Sequence, residues 1–213
     1  MNLLAPPETS TSLVDFITAR VKDMILLGEL GPDEPVNINV IAKQAQVSLV
    51  PVREALARLS AIGLLQFAPN RGYRVIARLG PEARAALYEA REILERSAAP
   101  LAAANRTDAQ VAELRSLNLE MHALGEAADT EPHAFFRLND RFHKTYVGMT
   151  GNLYLERMFE GLSFDLLMAR EHDFPTQHIA RLADEHDEII AAIEQRDADG
   201  LATLLTKHIR STR

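Results

Sequence analysis

The Gly80-Pro81 step divides the chain into two segments of different character. Glycine followed by proline interrupts a regular element, and Pro81 suits the first turn of a following helix, where its missing N–H would go unpaired anyway. Eight Lys and Arg stand against seven Asp and Glu before the step, and fifteen against twenty-three after it. Most of the net charge of −7 therefore belongs to the rear segment. Over 213 residues this reads as two domains, 1–78 and 82–213, with a linker at 79–81 and about the first ten residues expected to be disordered. With no cysteine there is no disulfide framework, no thiolate metal site and no cysteine nucleophile. No apolar run approaches the ~18 residues of a membrane span, and the first twelve residues lack the basic start and apolar core of a secretory signal. The expectation is a cytoplasmic protein with no membrane partner.

In the front segment, apolar residues recur at helical spacing from Leu13 to Leu27, and Gly28 ends the run. Gly31 to Pro35 reads as a loop. Asn37 is placed to cap a short helix carrying Val40, Ile41 and Ala45. Ser48 is placed to cap a second helix through its side-chain oxygen, with Pro51 in the first turn and the end near Ile62. Val52, Ala55, Leu56, Leu59 and Ile62 fall on one face of it, while Val50, Arg53 and Ala57 point away. Gly63 stops this helix, and Leu64 to Phe67 and Tyr73 to Ala77 read as two strands around the turn Pro69-Asn70-Arg71-Gly72.

Two short helices, a stop glycine and a basic-tipped hairpin are the layout of a winged helix-turn-helix, and its chemistry suits a duplex. The helix N-terminus at Ser48, Leu49 and Val50 offers backbone N–H groups and partial positive charge to a phosphate, and Arg53 one turn in reaches a guanine edge or the backbone. Asn70 and Arg71 at the hairpin tip face a minor groove or phosphate, and Gly72 lets the backbone approach closely. Asn39 is a further candidate for a base or phosphate contact. As isolated arginines, Arg53 and Arg71 would read as solvated surface charges; their position on two exposed elements of one layout favours DNA. So few charges bind poorly alone, so two copies reading a palindrome are expected.

The rear segment reads as an all-helical bundle, with segments at about 82–104, 108–127, 132–149, 152–170, 176–195 and 198–211. Its polar residues inside apolar stripes are the informative ones. Asn139 and His143 lie four apart on or beside the stripe of Phe135, Phe142 and Tyr146, while Asp140 turns away. His186 centres the stripe of Ile179, Leu182, Ala183, Ile190 and Ile193, and His208 that of Leu201, Leu204 and Leu205. One inward histidine is ordinarily a satisfied core residue. Three from separate helices are satisfied together by one divalent cation, since neutral imidazole is a common ligand of first-row metals. His122, His133, His172 and His178 read as surface or border residues. Arg91 falls within the stripe of Leu87, Leu94, Ala98 and Leu101, and a buried arginine needs an anion: a carboxylate from Glu92 or another helix, or a small acid ligand.

Two resemblances add to this. Val47 to Leu59, then Gly63-Leu64-Leu65 and Asn70 to Val75, resemble the DNA-binding domain of the GntR family of bacterial transcription regulators. The resemblance implies operator DNA as partner, with one departure: Leu49 stands where Arg is frequent, leaving Leu49 and Val50 to meet thymine methyls. Leu87 to Glu95, Asn139 to His143 with Gly151-Asn152, Glu185-His186 with Ala191 to Ile193, and His208 resemble the FCD effector domain of the FadR subfamily. It implies a metal held by one acidic residue and three His, with Asn139 at the acidic position, and a small organic acid as effector. The expected metal is zinc, with nickel or manganese as alternatives, on Asn139, His143, His186 and His208, with Arg91 on the acid.

The combined expectation is a mainly α, homodimeric regulator, more readily a repressor than an activator, and not an enzyme. Against it stand a metal-dependent hydrolase, disfavoured because no acid falls on the inward stripe and Glu185 and Glu188 point off the His186 face, and a helical interaction protein with a structural histidine cluster.

Overall fold

Ser12 starts the first helix by accepting the backbone N–H of Asp15 on its side-chain oxygen, and α1 (Leu13–Leu26) buries Ile17, Val21 and Ile25, spaced four apart. The structure, a computed structural model, describes residues 12–127, 132–163 and 176–212. The first ten residues, the break at Asp129 to Glu131, His172, and the Phe174-Pro175 break lie outside the described residues. The chain divides into two units, Met1–Arg78 and Leu79–Arg213, each described by itself.

In the front unit, Asn37 caps α2 (Ile38–Ala45) by accepting the N–H groups of Asn39 and Val40, and Gln46 ends it in the left-handed region. Ser48 begins α3 (Leu49–Ala61), but its hydroxyl makes no capping hydrogen bond, contrary to the sequence expectation. Pro51 in the first turn removes a donor that needed no partner. Val52, Ala55, Leu56 and Leu59 of α3 are fully buried, each large one stabilising by roughly 1.5–3 kcal/mol, while Ile62 is only half-buried. The hairpin pairs β2 (Leu65–Ala68) with β3 (Gly72–Val75), and its turn needs positive φ at Asn70 (65°) and Gly72 (75°). The loop expected through Pro35 ends instead in a strand, β1 (Pro35–Val36), antiparallel to β3 with Pro35 opposite Arg74 and Val36 opposite Tyr73. Two residues carry no readable period, and it is the burial of Val36 that puts them in the sheet, whose order is β1-β3-β2.

In the rear unit, Gly80 is the N-cap and Pro81 the first residue of α4 (Pro81–Asn105), so Pro81 belongs to the helix rather than to a linker. Pro100 lies inside α4 and cannot donate to Arg96. One residue earlier, the Glu95 carbonyl accepts the Tyr146 hydroxyl at 2.7 Å, which ties α4 to α6 at this point. A capping box of Thr107 and Gln110 starts α5 (Asp108–Glu126). After α6 (Pro132–Gly148), Asn152 caps α7 (Leu153–Leu162). The single segment expected over 152–170 stops there, because Ser163 turns to a left-handed conformation with φ 48°. The last two helices are α8 (Thr176–Glu194) and α9 (Ala198–Ser211), the latter capped by Asp197.

Helix α5 packs between α6 and α8, while α4 packs along α9. Helices α5 and α8 approach tightly at Gly125, where a β-carbon would stand 2.9 Å from the backbone nitrogen of Ala180. Gly125→Ala is expected to lower stability by about 1–3 kcal/mol, because backbone rather than a flexible side-chain end must give way. A urea midpoint unchanged from wild type would show that the helices separate freely here.

Candidate functional site

The front unit gathers the expected DNA-reading residues on its surface. Asn39, Ser48, Leu49, Val50 and Arg53 are exposed on α2 and the N-terminal turns of α3, and Asn70 and Arg71 are exposed at the hairpin tip, with Gly72 half-buried behind them. Val50 is 69% exposed and Leu49 37%, so the start of α3 presents apolar side chains to whatever it meets. Arg58, one helical turn further on, is tied at 2.8 Å to both Asp15 and Glu54. Arg53 and Arg71 make no ion pair among the described residues. The Ser48 hydroxyl, exposed at the start of α3, makes no capping hydrogen bond. Phe67 and Tyr73, their ring centroids 5.0 Å apart, stiffen the hairpin that carries Arg71.

The rear unit brings His143 of α6, His186 of α8 and His208 of α9 together, all but completely buried, with one nitrogen of each within 4.8 Å of the others. Their ring centroids are 4.6–5.3 Å apart, and His186 stacks on Phe142 at 4.1 Å. Asn139, one turn before His143, is also buried. Burial drives the His143 and His186 imidazoles well below the usual histidine range. Burial also holds His208 low, against the opposing pull of the Glu185 hydrogen bond. The three rings are therefore neutral, the form that ligates metal.

Two carboxylates organise these rings, and the sequence reading missed both. Glu95, fully buried, accepts the Arg91 Nε–H at 2.5 Å on Oε1 and the His143 Nδ1–H at 2.6 Å on Oε2. Glu185 accepts the His208 Nδ1–H at 2.8 Å and the Ser211 hydroxyl at 2.9 Å on Oε2, and Arg181 at 2.7 Å on Oε1. Burial raises the Glu95 carboxyl, with Arg91 opposing it; partial burial also opposes ionisation of Glu185, but His208, Ser211 and Arg181 outweigh it and hold that carboxyl below the usual range. The expectation that no acid lies inward is thus corrected. Both acids point inward but are engaged by histidine N–H groups, so they orient ligands rather than serve as general bases.

Arg91 is buried as expected, but its partner is Glu95 rather than Glu92, which instead forms a fork with Arg210 at 2.6 and 2.9 Å. The buried face of α4 accordingly turns from Leu101, which is exposed, toward Tyr88, Glu95 and Ala102. The i, i+4 relation that marked Asn139 and His143 also relates Arg91 to Glu95, and was the available signal.

With each Nδ1–H directed to a carboxylate, Nε2 is the nitrogen that His143 and His208 offer to a ligand. His143 Nε2 and both ring nitrogens of His186 have no hydrogen-bond partner although buried. An unpaired buried polar atom costs about 1–3 kcal/mol, so three in one cluster call for a shared partner. Neutral nitrogen donors with no thiolate fit a first-row divalent cation bonded at about 2.0–2.1 Å. His122 and Asp187, joined at 2.8 Å, make a separate surface pair with Asp184 nearby. His133 and His178 are half-buried.

Both parts of the chain are similar to known proteins. Residues 13–75 match the model of the bacterial regulatory proteins of the gntR family, and residues 86–211 that of the FCD domain. The Nta operon transcriptional regulator of Aminobacter aminovorans is 33% identical over 180 residues, 84% of this chain and 82% of its own. The transcriptional repressor GlaR of Escherichia coli is 27% identical, covering 89% of each chain. Among solved structures, E. coli McbR/YncC shares the fold with a TM-score of 0.82 and 23% identity over 95% of this chain and 96% of its own. No helix among the described residues is long and apolar enough to cross a membrane. These relatives are regulators rather than hydrolases, and the chain itself belongs to the GntR family of bacterial transcription regulators, with a winged-helix DNA-binding part and an FCD effector-binding domain.

Proposed function

We propose that the chain is a cytoplasmic, homodimeric repressor whose residues 1–78 read a palindromic operator and whose residues 82–213 bind zinc and a small organic acid. The observation that carries the effector half is the trio of buried imidazoles in which His143 Nε2 and both ring nitrogens of His186 have no partner. His143, His186 and His208 hold the metal with the Asn139 amide oxygen as fourth protein ligand; nickel or manganese suit the same donors. An amide adds no charge, so the centre stays more positive than with a carboxylate and attracts an anion, which also meets the Arg91 guanidinium. The acid shifts the population of bundle arrangements and so the separation of the two DNA-reading units. Exposed Ile93 of α4 and Leu153, Tyr154 and Met158 of α7, on helices packed together, support covering by a second copy. GlaR and a D-xylose operon regulator from Paenarthrobacter nicotinovorans, 29% identical, are named repressors, which supports that sense of regulation.

The test starts from duplexes selected out of random sequence, with affinity read by fluorescence anisotropy at fixed salt. Arg53→Ala is expected to weaken the selected duplex by about 1–3 kcal/mol and relax its sequence preference, as loss of a guanine contact does. Organic acids added with zinc are expected to release the wild-type protein but not His208→Ala. Release by no acid, with or without zinc, removes the effector half and leaves DNA reading intact.

A further inference from the structure

We propose that Glu95 is a positioning residue that fixes the tautomer of His143, and that Arg91 is what makes this carboxylate irreplaceable by its amide. The inference deepens the metal reading of the same site. Glu95 is held at both ends: its carbonyl takes the Tyr146 hydroxyl at 2.7 Å beside the Pro100 interruption, and its two carboxylate oxygens take one donor each, from Arg91 and His143. All three side chains are 2% exposed or less, so water supplies none of these contacts.

A carboxylate accepts from both neighbours, and an amide cannot. In Glu95→Gln one oxygen becomes an NH2 group, and only one neighbour keeps an acceptor. Arginine cannot give up its proton, whereas histidine moves its own from one ring nitrogen to the other. The amide oxygen therefore turns to Arg91 Nε–H and the NH2 group to His143 Nδ1, which must then accept. The ring proton moves to Nε2, the nitrogen that has no partner in this structure and is the one left for a metal. A proton there must be displaced before any cation binds.

Glu185 provides the internal contrast. It holds His208 in the same way, but its arginine, Arg181, is 42% exposed and can swing into water, and Ser211 can accept as well as donate. Glu185→Gln leaves its amide oxygen free to face His208 Nδ1–H, and no tautomer change follows.

The experiment uses the full chain. Ring-nitrogen NMR on metal-free protein assigns the tautomers, competition with a chromophoric chelator gives zinc affinity, and circular dichroism confirms folding of each variant. Wild type is expected to carry the His143 proton on Nδ1. Glu95→Gln is expected to carry it on Nε2 and to bind zinc about 10- to 100-fold more weakly. Removing the arginine as well, in the Arg91→Met/Glu95→Gln double variant, lets the amide oxygen return to His143, so the Nδ1 proton and most of the zinc affinity come back. A residue that only fills space predicts the opposite order, with the double variant no better than the single one. An Nδ1 proton retained in Glu95→Gln, or a double variant that fails to recover, overturns the proposal. Wild-type protein with the expected tautomers but no zinc affinity supports the tautomer assignment and rejects the metal reading instead.

Discussion

Replacing Glu95 with alanine is expected to destabilise the rear unit by about 3–5 kcal/mol, the range for removing one partner of a buried ion pair. Arg91 keeps its charge at any accessible pH and is 2% exposed, so it cannot exchange the lost carboxylate for water. His143 loses the acceptor of its Nδ1–H in the same substitution, and the excised side chain leaves a void between α4 and α6. Glu92→Ala is the matched comparison on the same helix. Glu92 also pairs with an arginine, but the Arg210 side chain is 61% exposed and rehydrates when released, so the expected loss is only about 1 kcal/mol. Urea unfolding followed at the helical circular dichroism band measures both. Equal losses for the two variants would mean that the buried Arg91 charge finds compensation without Glu95.

Acidification of the metal-free protein gives the second large effect. His143 and His186 titrate far below the ordinary value of 6.5 in the folded chain, because burial penalises the imidazolium, and near 6.5 once unfolded. Below that pH the unfolded chain takes up protons that the native one refuses, so stability is complete above about pH 6.5 and falls as the pH drops through it. The limiting slope is about 1.4 kcal/mol per histidine per pH unit, and His208, which burial also holds low, adds its share to those of His143 and His186. Zinc at a hundred times its dissociation constant adds about 2.7 kcal/mol at pH 7, and proton competition removes that increment over the same interval. Urea midpoints between pH 7.5 and 5 read the slope, and His186→Gln should remove one histidine's share of it. A flat profile in wild type means the rings are hydrated or already paired.

Period and punctuation made much of the fold legible in advance. The helices of the front unit, the hairpin and the cap at Asn37 follow from apolar spacing and from residues with one strong local role. So did the inward placement of His143, His186 and His208, since a histidine among isoleucines and leucines has nowhere else to point. What escaped depends on partners distant in sequence. Val36 joins a sheet because Tyr73 is opposite it, and Ser48 leaves its cap unmade although its residue type favours one. Glu95 carried no period or punctuation to mark it as interior; its contacts with Arg91 and His143, one of them on another helix, are what place it there. On α4 the predicted face kept Arg91, Leu94 and Ala98, all buried, and erred at Leu101, which is exposed.

The three imidazoles come from three different helices and stand far apart along the chain, although α8 and α9 are consecutive. An unfolded or half-assembled polypeptide therefore offers no local chelate, and each histidine alone grips a cation weakly. Under the proposed metal reading, capture would wait until α6, α8 and α9 have docked, and the site would act as a checkpoint on completed folding rather than a nucleus for it. The same dispersal would keep metal affinity for the unfolded ensemble low, so that nearly all of the binding energy would favour the native state.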